Sequence, residues 1–130
     1  MRNLLISLIF LASPALGQDI EEGGRTFFVF CASCHGDNAE GNGPMAEILT
    51  VVPPDLTQLA VENGGEFPTV SVLRQIDGRD PEPVHSGVMP AFGMLFEGEP
   101  ATMKLPSGQP LVTQQGMLDL VAWLESVQVE

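Results

Sequence analysis

Basic residues are scarce in this chain of 130 residues: five Lys and Arg stand against 17 Asp and Glu, a formal charge of −12 at pH 7. Such a surface repels nucleic acid and anionic lipid, and it favours solubility and steering towards a basic docking face on a partner. Charge alone does not separate steering from plain solvation. Cysteine is rarer still, with only Cys31 and Cys34, and the histidines are His35 and His85. A four-ligand zinc site would have to be completed by His85 and carboxylates, and the neighbours Cys34 and His35 do not converge easily on one tetrahedral ion. Internal repeats are absent. The length suits one domain with one core, so one active centre is expected.

The chain opens on Met1-Arg2-Asn3, an apolar run from Leu4 to Ala12 broken only by Ser7, and Ser13-Pro14-Ala15-Leu16-Gly17 before the polar Gln18-Asp19. That is the three-part pattern of a signal peptide over residues 1–17, cut before Gln18, with the functional domain spanning 18–130. The apolar run is far shorter than the roughly 20 residues of a permanent bilayer-crossing helix, so no membrane insertion is expected after cleavage. Cleavage removes one arginine and no acid, leaving the exported protein still more acidic.

Both cysteines fall in Cys31-Ala32-Ser33-Cys34-His35, the C-x-x-C-H pattern of covalent haem attachment. Two thiols one helical turn apart suit the two vinyl groups on one porphyrin edge, and the adjacent imidazole then lies under the iron. Competing readings use less of the pattern. A redox disulfide of the thioredoxin kind expects a preceding strand, whereas Gly23 to Phe30 reads as helix. A catalytic cysteine would leave the second thiol and the adjacent histidine without a role.

An electron-carrying haem benefits from a second protein ligand, and the candidates are His85 and the methionines after residue 17. Met117 falls with Leu120, Val121 and Leu124 at helical spacing and reads as core. Met45 lies too close to His35 in sequence, and Met103 reads as a hairpin strand, so both are taken as packing. Met89 sits in Ser86-Gly87-Val88-Met89-Pro90-Ala91-Phe92-Gly93, where glycines permit close approach and Pro90 fixes the backbone after the sulfur. Met89 is the chosen ligand, with Met94 and His85 as alternatives. A thioether favours ferrous iron and raises the potential.

With Cys31-Ala32-Ser33-Cys34-His35-Gly36, Gly41-Asn42-Gly43-Pro44, Pro53-Pro54-Asp55-Leu56, Val88-Met89-Pro90-Ala91-Phe92 and an amphipathic C-terminal helix, the chain resembles the class I c-type cytochromes of the bacterial periplasm. The resemblance covers nearly all of the chain after residue 17. It implies an all-α cytochrome c fold, one haem c, a periplasmic location and electron transfer between a donor and an acceptor redox protein, without enzymatic chemistry. It also implies that the Pro44 carbonyl accepts the imidazole N–H of His35. In this family the first and last helices cross at a small residue packed against an aromatic one, and Gly23, Phe27, Leu120 and Trp123 occupy the matching positions. A second haem motif is absent, which excludes a dihaem peroxidase in this chain.

Asp19 and Glu22 suggest a capping box for a helix from Ile20 to Ala32, with Ile20, Phe27, Phe30 and Cys31 on or near one face. Residues 36–43 read as a polar loop, Pro44 to Leu49 as a short helix, and Thr50 to Leu56 as a proline-rich turn. A further helix is expected from Pro68 to Ile76, stopped by Gly78. Asp77 to Val88 reads as loop, and Arg74 and Arg79 are candidates to meet haem propionates. Between Met89 and a final helix from Thr113 the chain is longer than this fold requires. A hairpin of Ala101–Leu105 with Pro110–Thr113 around Pro106-Ser107-Gly108-Gln109 would absorb the excess. Two rival functions stay open: a cytochrome subunit bound permanently within an oxidoreductase, and a haem sensor or enzyme with an open sixth position.

Overall fold

A computed structural model describes residues 17–78, 89–96 and 98–129. The expectations for residues 1–16, for Arg79, for His85 and for the loop beyond Gly78 concern residues outside this set.

Helix α1 (Ile20–Phe30) starts at Asp19, whose carboxylate accepts the Glu22 N–H at 3.0 Å. Only half of the expected capping box forms. The Glu22 side chain pairs with Arg25, while the Asp19 N–H donates to Asp119 Oδ1 at 2.8 Å. Asp119 is buried on α5 (Gln115–Ser126) and also accepts from Gln115 Nε2 at 2.7 Å. A carboxylate from the last helix therefore satisfies a donor at the entry to the first. The expected single helix ending at Ala32 runs further: after a distortion at Cys31 comes α2 (Ala32–His35), with the His35 N–H donating to Cys31 O at 2.9 Å. Gly36, at φ 79°, ends the helix one residue after His35.

The core is built where α1 crosses α5. Phe27 stacks on Trp123 with ring centroids 4.4 Å apart, and Gly23 lies against the backbone of Asp119 and Leu120. Met117, Leu120, Val121 and Leu124 are buried, as their spacing predicts. Ile20 and Phe30 depart from expectation and are exposed, because the contact face of α1 is centred on Gly23 and Phe27.

The short helix expected at 44–49 is a single 3-10 turn, Ala46–Ile48, and Met45 beside it is exposed instead of packed. After the proline-rich turn comes an element the sequence did not announce: a 3-10 turn, Leu56–Gln58, leading into α3 (Leu59–Glu62). Asp55 caps it through the Thr57 N–H at 2.9 Å. Gln128, just past α5, clips it down, donating to Leu56 O at 2.7 Å and accepting from the Ala60 N–H at 2.9 Å. Helix α4 (Thr69–Asp77) stops at Gly78 as expected, with that glycine left-handed.

The hairpin is present, as β1 (Pro100–Lys104) and β2 (Pro110–Gln114), antiparallel with Met103 opposite Leu111. Those two residues pack towards the core, while Thr102, Lys104, Pro110 and Val112 face outward. Helix α5 follows β2 directly, starting two residues later than expected. The fold is therefore the expected one, short helices with one hairpin before the C-terminal helix.

Candidate functional site

Cys31 and Cys34 are free thiols, both half-buried, at the junction of α1 and α2. Burial, and secondarily the neighbouring Cys34, push the Cys31 thiol up to about 11. A redox-active dithiol needs the opposite, a depressed first cysteine, so this environment counts against thiol–disulfide exchange. The Ser33 hydroxyl points at Cys34 Sγ, 3.9 Å away.

His35 closes α2 with its ring largely buried. Burial lowers its pKa, and the backbone carbonyl of Pro54 pushes partly back. The imidazole is thereby kept neutral near pH 7, the form that ligates a metal. Its Nδ1 is buried and lacks a hydrogen-bond partner. Pro44, expected to supply that partner, is exposed and does not reach Nδ1.

Local backbone bonds explain the difference. Gly43 N–H donates to Cys34 O at 3.1 Å and Met45 N–H to Ser33 O at 2.8 Å, which ties the residues on either side of Pro44 to the backbone of the cysteine turn. The loop then folds the other way: Gly41 N–H donates to His35 O at 2.7 Å, and Leu56 N–H to Ala39 O at 2.8 Å. Gly41, at φ 77°, lets Pro53 and Pro54 approach so closely that a Cβ there would lie 2.9 Å from the Pro54 carbonyl oxygen. Pro54 is thus the proline brought up to the histidine. Ala39, read from sequence as part of a polar loop, is fully buried at φ 62°.

Met89 is half-buried against the core, and its Sδ accepts a hydrogen bond from Gln75 Nε2 at 3.8 Å. The segment is docked on α4 through Phe92 N–H to Ile76 O at 2.9 Å. Met94, the alternative ligand from the same stretch, is 74 % exposed on the 3-10 turn Gly93–Phe96.

These residues fit a covalently held haem on three observations. A neutral, half-buried imidazole, the form that ligates a metal, lies at the end of the thiol-bearing turn. A half-buried thioether is available on a second element. Apolar side chains exposed without evident reason, Ile48 at 72 % and Val52 at 75 %, follow the attachment turn, and the Ala46–Ile48 turn packs on α2. Apolar surface left bare by the protein's own packing suits a flat apolar group. Gln75 and Pro54 were not recognised from sequence as site residues: one is a single polar residue in an amphipathic helix, the other needs the loop fold to reach His35.

The family profile for cytochrome c matches residues 20–128. No curated protein and no solved structure matches the chain.

Proposed function

The chain belongs to the cytochrome c family, whose members carry covalently attached haem c and transfer electrons; on that premise we propose that it is a periplasmic carrier of single electrons with one haem, ligated by His35 and Met89. The observation that carries this reading is the neutral, half-buried His35 at the end of the Cys31–Cys34 turn.

Cys31 and Cys34, free thiols one turn apart, would hold the haem covalently as thioethers. His35, with Nδ1 facing the protein interior, offers Nε2 to the iron. The Pro54 carbonyl, the backbone group that already acts on the ring, would accept the remaining ring N–H in place of Pro44, fixing the ring and raising its basicity. Met89, half-buried on the segment docked against α4, would supply the second protein ligand through its sulfur. The bound haem supplies a ferric/ferrous couple that gains or loses one electron at a time. With His35 and Met89 both holding the iron, the haem would have no site open to a substrate, which favours electron transfer over bond-making chemistry. The signal segment directs it to the periplasm, and the acidic surface favours donor and acceptor proteins with basic docking faces. A free carrier is preferred to a permanently bound subunit because the outward face of the hairpin is mostly Thr102, Lys104 and Pro110, with Val112 the one large apolar residue.

Met89→Ala tests the reading. The oxidised wild type is expected to show the weak near-infrared band of sulfur-to-iron coordination, and the variant to lose it. Reduced variant should bind carbon monoxide, and its potential should fall by on the order of 100–200 mV, a fraction of the roughly 0.8 V range that axial ligands span. A variant identical to the wild type would move the ligand to Met94 or His85.

A further inference from the structure

We infer that the buried carboxylate of Asp119 is a receptor for the α-ammonium group that export processing creates on Gln18, pairing the new amino terminus with the last helix. The inference rests on the signal segment being removed before Gln18 and deepens that reading.

Asp119 lies on α5 among buried apolar residues, is 5 % exposed, and faces the entry to α1. Its Oδ1 accepts the Asp19 N–H at 2.8 Å and Gln115 Nε2 at 2.7 Å, and both of these donors are neutral. Gln115 Nε2 also reaches Gly17 O at 3.4 Å, the carbonyl of the peptide bond to be cut. That bond is thereby held one hydrogen-bonded side chain away from a buried carboxylate. No more than one residue's reach, about 3.6 Å, separates the Gln18 nitrogen from the Asp19 nitrogen already on Oδ1. The junction also lines a cavity of about 380 Å³ with Pro100, Thr102 and Leu118, which gives the freed end space to turn inward.

A carboxylate taken out of water with neutral donors alone is costly, and a cation beside it offsets that cost. Processing supplies one. Water adds its hydroxyl to the Gly17 carbonyl carbon, the C–N bond breaks, and the Gln18 nitrogen leaves as an amine that is mostly protonated near pH 7. The departing Gly17 carbonyl releases Gln115 Nε2, and rotation about the Gln18 backbone brings the ammonium to Asp119. The other charged groups at this entry are Asp19, Glu21 and Glu22, with Arg25 paired to the two glutamates at 2.6 and 2.7 Å, so the surroundings are acidic on balance. Pairing also protects Gln18 from cyclisation, in which the neutral α-amine attacks Cδ of its own carboxamide, a C–N bond forms and ammonia leaves.

The test is acylation of the exported holoprotein by acetic anhydride near pH 7, read by intact and peptide mass. Lys104 is the chain's only lysine, so amine labels fall on the amino terminus or on that internal standard. An unpaired α-amine ordinarily titrates at about 7.7–8.0 and outreacts lysine; the paired one should be labelled about tenfold more slowly relative to Lys104. Asp119→Asn keeps an acceptor oxygen for the Asp19 N–H but carries no charge. It should restore the faster labelling and let Gln18 cyclise on storage, seen as the loss of one ammonia. One glycine inserted between Gly17 and Gln18 should raise the labelling likewise, by moving the amine about 3.8 Å along the chain while leaving Asp119 in place. A wild-type labelling ratio equal to that of Asp119→Asn overturns the inference, as does a wild-type terminus already cyclised. If that variant does not fold, a ratio equal to that of the inserted chain does so. An exported protein beginning at a residue other than Gln18 sinks the cleavage assignment itself, an outcome separate from an unpaired Gln18.

Discussion

Gly23→Val is expected to abolish folded holoprotein. A Cβ at this position would overlap the Asp119 carbonyl oxygen and come within 2.5 Å of the Asp119 carbonyl carbon and 3.0 Å of the Leu120 nitrogen. All three are backbone atoms of α5, so relief requires moving a helix whose Met117, Leu120 and Val121 are at most 1 % exposed. Separating α1 from α5 would also break the Phe27–Trp123 stack and pull Asp119 off the Asp19 N–H. Overpacking alone commonly costs 1–3 kcal/mol, and with these losses the total should exceed roughly 4 kcal/mol, a large share of the stability of a small domain. Urea titration of whatever holoprotein accumulates measures this. Gly98→Ala is the control, since a Cβ there meets nothing within 4 Å; its midpoint should stay at the wild-type value. A Gly23→Val protein unfolding at the wild-type midpoint would mean that the helix crossing is not as described.

Replacing both Cys31 and Cys34 with alanine should remove all haem that survives denaturation. In the proposed ligation, bonds from His35 and Met89 would hold the haem only while the fold keeps them in place, whereas thioethers would persist in the unfolded chain. Denaturing electrophoresis followed by haem staining should show a stained band for the wild type and none for the double variant. Either single variant keeps one thioether and should still stain. Staining of the double variant would require another covalent attachment point, and the sequence has no third cysteine. The raised pKa of Cys31 adds a second expectation. A thiol-selective reagent should label Cys31 of haem-free protein slowly near pH 7, because the thiolate is the reactive form.

Much of this could be read from the residues because it is local. The attachment turn needs five consecutive residues, the stop at Gly78 needs one glycine, and α5 shows its buried face through the spacing of Met117, Leu120, Val121 and Leu124. The hairpin was legible from a turn tetrapeptide between two short runs. What escaped depends on partners distant in sequence. Helix α3 is one turn long and owes its place to Gln128, 68 residues beyond Ala60. Asp119 looks like a stray acid in an apolar helix until Asp19 arrives beside it, 100 residues away. The family resemblance points to Pro44 as the partner of His35, whereas the backbone carbonyl that acts on the ring is that of Pro54, which the loop fold brings up beside Gly41. Gln75 gains meaning only when the Met89 segment docks on α4.

The central claim, a haem closed at both axial positions by this chain's own residues, is tested most directly by exposing the reduced wild-type holoprotein to carbon monoxide and recording its absorption spectrum. The reduced spectrum should stay unchanged, because in the proposed ligation Met89 would occupy the position that the gas needs. Rapid conversion to a carbon monoxide complex would contradict the account and make an open-site haem, with sensing or catalytic chemistry, the correct description.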